Sequence, residues 1–218
     1  MIDLTTVRFG TGTHDATDAP TGDRDLCIME AVAFVAGEPW SDAPACASPV
    51  ISAFLRVWQD ALSDEDRDRL LPAAVWIPRL VGSRGTPEVE EQRAWLAADW
   101  LFRVHAPAFL DLTPSLKTHA EALRSLPAIT AGTLDESAQV VRAARDAARG
   151  AAGAAAWDAA RAAVRAAAWD AAWGAAWAAA WAAAWAAAGD ALRPTVETLQ
   201  HSALDLLDRM LACHRREE

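Results

Sequence analysis

An alanine-rich repeat between about residues 135 and 189 constrains the fold of this chain more than any other feature. Its clearest stretch, AAWAAAWAAAWAAAG at residues 175–189, places a tryptophan at every fourth position. Alanine is the best helix former and only isolated glycines interrupt the run, so we expect one long helix. About 55 residues would span about 80 Å at the α-helical rise, which exceeds the diameter of a compact domain. The repeat therefore predicts a helix that projects, breaks or oligomerises.

The spacing of the tryptophans predicts how this helix is covered. Each residue turns the helix by about 100°, so a step of four residues overshoots one turn by about 40°. From Trp169 to Trp185 the aromatic ridge winds through about 160°, and no single flat partner can cover it. We therefore expect a helix surrounded by the N-terminal helices of its own chain or by further copies.

Residues 171–189 carry no charge, and the stretch is long enough for a membrane-spanning helix, so this alternative has to be considered. It contains no Leu, Ile, Val or Phe, the residues that drive insertion. Tryptophan prefers the two membrane interfaces to a continuous ladder through the hydrocarbon. The pattern does not favour a membrane partner.

Helix start signals recur through the rest of the chain. Ser48-Pro49, Thr86-Pro87 and Thr113-Pro114 each set a hydroxyl before a proline at the first helical position. No window alternates apolar and polar residues as a strand would, so the fold class is predicted to be all-α. We expect a multi-helix bundle around or beside the long helix, with a C-terminal helix that folds back as an αα-hairpin after Gly189 and Pro194. The predicted segments are an irregular arm (1–23), a helical region (24–130), the repeat helix (131–190) and an amphipathic C-terminal helix (191–218), together forming one domain.

The first helical segment, DLCIMEAVAFVAG, shows the expected amphipathic pattern. Helical spacing sets four apolar residues on one face, and the helix should end at Gly37. The predicted buried face consists of Ile28, Ala31, Val32 and Val35.

Composition narrows the classes of partner. The net charge of −10 repels nucleic-acid phosphate, so no DNA partner is expected. Three widely spaced cysteines form no CxxC pair, which argues against a zinc site or a disulfide framework and indicates a reducing cytoplasm. The N-terminal stretch lacks a basic region followed by an apolar one, so no secretion signal is expected. No metal or cofactor is predicted.

Two groups of residues could in principle carry catalysis. Cys27 could act as a thiol nucleophile with one of the histidines. Glu30, Glu38 and Asp42 could converge as carboxylates near a helix end. A buried structural cysteine and solvated or capping acids are the commoner roles for such residues. No HExxH, GxSxG or P-loop spacing occurs in the chain.

A stripe of arginine and tryptophan is the strongest candidate for contact with a ligand or partner. Arginine and indole four residues apart on a helix can stack as cation–π pairs, or grip a phosphate and stack a base. A nucleotide or another small ligand is therefore one possible occupant. The alternative is that these groups only solvate the exposed half of a long helix. The stripe consists of Arg145, Arg149, Trp157, Arg161, Arg165 and Trp169.

Several stretches resemble a family of alanine-rich proteins from actinobacteria and their phages. They are DLCIMEAVAFVAGEPWSDAPACASPVISAFLRVWQDAL, RLVGSRG, WLAADWLFR and ALRPTVETLQHSALDLLDRM. The family is uncharacterised, and similar repeats occur in proteins labelled putative immunity proteins. The resemblance brings no catalytic or binding residues, and it departs where this chain has Trp in place of Arg. We expect a non-enzymatic cytoplasmic protein that acts through a protein partner or as a homo-oligomer, in immunity or phage counter-defence. The alternative functions are a small-ligand or nucleotide binder that uses the stripe, and an enzyme that uses Cys27 or the three acids.

Overall fold

The computed structural model describes residues 2–16, 20–151 and 172–213, with side chains defined outside residues 149–151 and 172–191. In these ranges every regular element is helical, apart from one isolated bridge between Arg8 and Asp23. The predicted all-α class is confirmed.

The described helices are numbered in chain order. The first four are α1 Ile28–Ala36, α2 Pro49–Ala61, α3 Asp64–Leu70 and α4 Ala73–Leu80. Helix α5, Pro87–Trp100, continues through a π-helical segment, Leu101–His105, into α6, Ala106–Leu110. A 3-10 turn, Pro114–Leu116, leads into α7, Lys117–Arg124. Helices α8, Leu134–Ala151, and α9, Ala172–Cys213, complete the described chain.

The described residues divide into two compact units. The first unit holds the chain up to Glu90 and residues 172–182 of α9. The second unit holds residues 91–151 and 183–213. This division differs from the predicted segments, because it falls inside α5 and inside α9.

The core of the first unit is built where α1 meets α2 and α4. Ile28, Val32, Leu55 and Ile77 have no exposed surface, and burial of such a side chain stabilises the fold by about 1.5–3 kcal/mol. The predicted buried face of α1 is right for its first two turns and wrong for Val35, which is 43% exposed. The segment from Leu26 to Ala33 is buried on all sides rather than on one face, because the N-terminal arm covers the side that periodicity leaves to solvent.

The N-terminal arm is irregular as predicted, and it is held by buried polar groups. Phe9 is 2% exposed, and its backbone oxygen accepts hydrogen bonds from Arg24 (3.0 Å) and Arg67 (3.2 Å). Arg67 is 1% exposed and also donates to the backbone oxygens of Gln59 (2.9 Å) and Leu62 (2.8 Å). A guanidinium has five donors, so this one side chain of α3 can tie the arm to the end of α2.

The capping predictions hold at two of the three Ser/Thr-Pro pairs. Ser48 Oγ accepts from the backbone N–H of Ile51 (3.2 Å), and Thr86 Oγ1 accepts from that of Val89 (3.4 Å). Thr113 makes no such bond, because Pro114 begins a 3-10 turn instead of an α-helix.

The second unit is organised around the C-terminal part of α9. Arg93 is fully buried and donates from Nε to the backbone oxygen of Met210 (2.9 Å). The indole N–H of Trp100 donates to Ser202 Oγ (3.0 Å). The π-helical segment follows directly and is explained by Pro107, which lacks an N–H and would crowd the carbonyl of Arg103 in a regular α-helix. The backbone N–H of Ala106 donates to Leu101 five residues earlier, which widens the turn.

The predicted αα-hairpin is wrong. Helix α9 runs unbroken through Gly189 and Pro194 for 42 residues, about 63 Å at the α-helical rise. An isolated glycine weakens a helix by only about 1 kcal/mol, and it ends one only where the chain can leave the helical conformation. Thr198 Oγ1 donates to the oxygen of Pro194 (2.8 Å), and a single proline is tolerated inside a helix held by tertiary packing. The predicted boundary at residues 190 and 191 therefore lies within one helix.

Candidate functional site

The first candidate site surrounds the start of α1. Cys27 is the N-cap residue: its Sγ accepts from the backbone N–H of Glu30 (3.4 Å), and the Glu30 carboxylate accepts from the backbone N–H of Cys27 (2.6 Å). The same carboxylate accepts from the backbone N–H of His14 (2.8 Å) and lies 2.8 Å from His14 Nδ1. Glu30 is 1% exposed, so three donors compensate a buried acid. The arrangement ties the arm to the helix start.

The thiol of Cys27 is not prepared for nucleophilic chemistry. Burial, together with the neighbouring Glu30 carboxylate, raises the pKa of Cys27 to about 12. A nucleophilic cysteine needs the thiolate form at neutral pH, and it is found beside a cation or an imidazole that stabilises this form. Here the imidazole of His14 is engaged by Glu30 instead. The geometry argues against catalysis by Cys27.

The three acids suggested by the sequence serve three different structural roles. Glu30 binds His14 and the start of α1. Glu38 accepts from the backbone N–H of Ala45 (2.6 Å), and Asp42 pairs with Arg56 (3.0 Å). The structure does not bring them together as a set of catalytic carboxylates.

A cavity of about 510 Å³ lies beside His14 and is lined by Thr13, His14, Asp15 and Asp25. Asp25 accepts hydrogen bonds from Thr21 and from the backbone N–H of Gly22, and these bonds lower the pKa of its carboxyl against the opposing effect of burial. The carboxylate therefore closes a turn. Across the part of the chain that the structure describes, no group of three acidic, cysteine or histidine residues could hold a metal ion.

The arginine and tryptophan stripe falls largely outside the described residues. Arg145, on α8, is half-buried and pairs with its neighbour Asp146 at 3.0 Å. The backbone of Arg149 belongs to α8, but its side chain is outside the described set. The other members, Trp157, Arg161, Arg165 and Trp169, also lie outside the described residues.

The second unit contains a groove of about 470 Å³ that the sequence did not predict. One wall is a single face of α5, on which Gln92, Trp95, Leu96 and Asp99 follow one another at helical spacing. The opposite wall is the end of α9, and the loop after α7 closes one side. These two parts contribute Ala128, Ile129, Thr130, Arg209, Ala212 and Cys213.

The indole N–H of Trp95 and the carboxylate of Asp99, both on the α5 wall, are already engaged. The indole N–H of Trp95 donates to Glu91 one turn earlier (3.3 Å), so its ring remains as an apolar surface. Asp99 accepts from the backbone N–H of Ile129 (2.9 Å) and pairs with Arg103 (3.0 Å). The negative charge of Asp99 is therefore compensated within the unit.

Arg209 carries the uncompensated charge of the groove. It is exposed on α9, and its guanidinium has no hydrogen-bond or ion-pair partner among the described residues. Asp205, one turn earlier on the same helix, forms no ion pair with it within 4.0 Å in that part of the chain. The groove thus combines apolar walls with one available cation, a combination typical of binding surfaces.

Comparison with known proteins gives no relationship to support or correct this assignment. No family model, curated protein or solved structure matches the chain. The described helices include none that is both long enough and apolar enough to cross a membrane.

Proposed function

We propose that this protein is non-enzymatic and acts by binding another protein, with the groove of the second unit as its contact surface. The observation that carries the proposal is the groove itself. Two helices and a loop form a solvent-open cleft whose walls include Trp95, Leu96 and Ile129. Apolar side chains from a partner helix or an extended segment commonly dock in such clefts.

The chemistry of the remaining candidates supports a binding role. Cys27 caps a helix, and Glu30, Glu38 and Asp42 each hold a different structural element. The resemblance to alanine-rich actinobacterial and phage proteins favours a cytoplasmic role in immunity or counter-defence. A partner protein, rather than a substrate, would then be the ligand of this chain.

The test is a selection of random twelve-residue peptides displayed on phage against the immobilised full-length protein. Ala212 lines the groove, and Ala212→Phe would fill it without removing an existing contact. Ala122 is exposed on α7 outside the groove, so Ala122→Phe is the matched control. We expect peptides with apolar anchors to bind the wild type and the control, and to lose at least tenfold in affinity on Ala212→Phe.

The cysteines report the place of binding within the same molecule. Cys213 lines the groove, whereas Cys46 lies in the first unit, and both thiols are half-exposed. A selected peptide should slow the alkylation of Cys213 and leave that of Cys46 unchanged. A selection that yields no peptide sensitive to Ala212→Phe would overturn the proposal. A wild-type dimer in light scattering that Ala212→Phe dissociates would assign the groove to a second copy of the chain instead.

A further inference from the structure

We infer that the partner segment carries a carboxylate beside its apolar anchor, and that Arg209 receives this carboxylate. The inference rests on the proposed function and names the chemistry of the partner. It follows from three properties of the groove: the apolar wall, the compensated acid and the available cation.

The apolar wall of the groove determines where the anchor binds, that is, the apolar side chain of the partner that enters the groove. Trp95 and Leu96 lie one residue apart on α5, and Ile129 closes the groove from the loop with 2% of its surface exposed. Because the indole N–H of Trp95 is already bound to Glu91, an incoming side chain meets the Trp95 ring as an aromatic surface. An aromatic or branched aliphatic side chain suits this surface.

The charges of the groove determine which charge the partner residue beside the apolar anchor should carry. A cationic partner would have to compete with Arg103 and the backbone of Ile129 for Asp99. An anionic partner meets Arg209 without displacing any described contact. A guanidinium presents paired N–H donors that match the two oxygens of a carboxylate, so Asp or Glu fits better than a neutral amide.

The net charge of the protein limits how acidic the partner segment can be. At −10, the chain repels an extended acidic run at long range. Screening at physiological ionic strength confines that repulsion to about 8 Å. A single carboxylate bound to Arg209 is therefore attracted by the guanidinium more than it is repelled by the rest of the chain. We therefore expect one acidic residue next to the anchor and not a polyacidic tract.

The test repeats the twelve-residue selection on the wild type, Arg209→Gln and Arg209→Lys, and compares the residues that flank the selected apolar anchor. We expect Asp and Glu to be enriched over Asn and Gln on the wild type, weakly enriched on Arg209→Lys, and not enriched on Arg209→Gln. A selected peptide and its version with the acid replaced by the amide should differ about threefold to fivefold in Kd on the wild type. On Arg209→Gln the two peptides should bind equally.

The outcomes separate this inference from the function on which it rests. If apolar anchors are selected on all three proteins but acids are not enriched on the wild type, the groove binds peptides and the inference is wrong. If no anchor depends on the groove, as judged with Ala212→Phe, the proposed function fails first. Circular dichroism of the Arg209 variants should match the wild type, because Arg209 is exposed and makes no described side-chain contact.

Discussion

Acid should destabilise the second unit through one buried histidine. His105 is 7% exposed and lies between Trp100 and Phe109, with ring centroids 5.3 Å and 4.9 Å away. Burial lowers its pKa to about 3 from an ordinary value of 6.5, because the charged imidazolium would lose its hydration there. The unfolded chain therefore binds a proton on this side chain at a higher pH than the folded protein does.

The sign and size of the effect follow from proton linkage. Between the two pKa values the unfolded state binds more protons, so stability rises with pH and is lost as the pH falls below about 6.5. At about 1.4 kcal/mol per pKa unit, His105 alone should lower the free energy of unfolding by about 2.5 kcal/mol between about pH 7 and about pH 4.5.

The variant His105→Phe keeps an aromatic ring between Trp100 and Phe109 and cannot be protonated. Urea unfolding of the wild type and the variant, followed by far-UV circular dichroism across this pH range, gives the two pH dependences. Both proteins carry the same carboxylates, so the difference between their slopes isolates His105. Equal slopes would refute the reasoning, because they would mean that the folded protein accommodates the protonated ring.

Three further predictions concern the first unit. Arg67→Met should lower the free energy of unfolding by about 3–5 kcal/mol in urea melts, because it removes three hydrogen bonds from a buried guanidinium to backbone oxygens, whereas the exposed Arg69→Met should cost less than about 1 kcal/mol. Trp58→Phe should lower the free energy of unfolding by only about 1 kcal/mol, against about 4 kcal/mol for Trp58→Ala. The reason is that the buried indole N–H has no described partner, so its removal offsets part of the lost packing. Equal losses for the two variants would contradict this. Cys27 should resist iodoacetamide in the native protein at about pH 8 while Cys213 reacts, as followed by peptide mass spectrometry, and fast native labelling of Cys27 would contradict its burial at the start of α1.

Local signals in the sequence predicted local structure well. The hydroxyl-proline pairs at Ser48 and Thr86 begin helices because the cap and the fixed proline φ act within one turn. The capping box at Cys27 was missed, since cysteine is not a usual capping residue. The exposure of Val35 was also missed, because periodicity gives a face and does not say how far along the helix that face is covered.

The groove could not be predicted, because its walls come from parts of the chain that are distant in sequence. Leu96, Ile129 and Ala212 belong to three elements and carry no shared motif. The sequence analysis did not single out Arg209, which is one of several charged residues on the C-terminal helix. Only the fold shows that the nearby acid Asp99 is already compensated by Arg103, which leaves Arg209 as the cation of the groove.

The spacing of the buried residues after Pro194 explains why the groove lies at the C-terminal end of α9. After Pro194, the buried positions of α9 alternate steps of three and four residues, and they are Val196, Leu199, Ala203, Leu206 and Met210. That spacing averages 3.5 residues and keeps one stripe facing the second unit. A helix with one buried stripe must leave its other faces to solvent or to a partner. Near the last described turn these faces present Arg209, Ala212 and Cys213, which line the groove. The stretch of α9 after Pro194 therefore both packs within its own unit and contributes one wall of the groove.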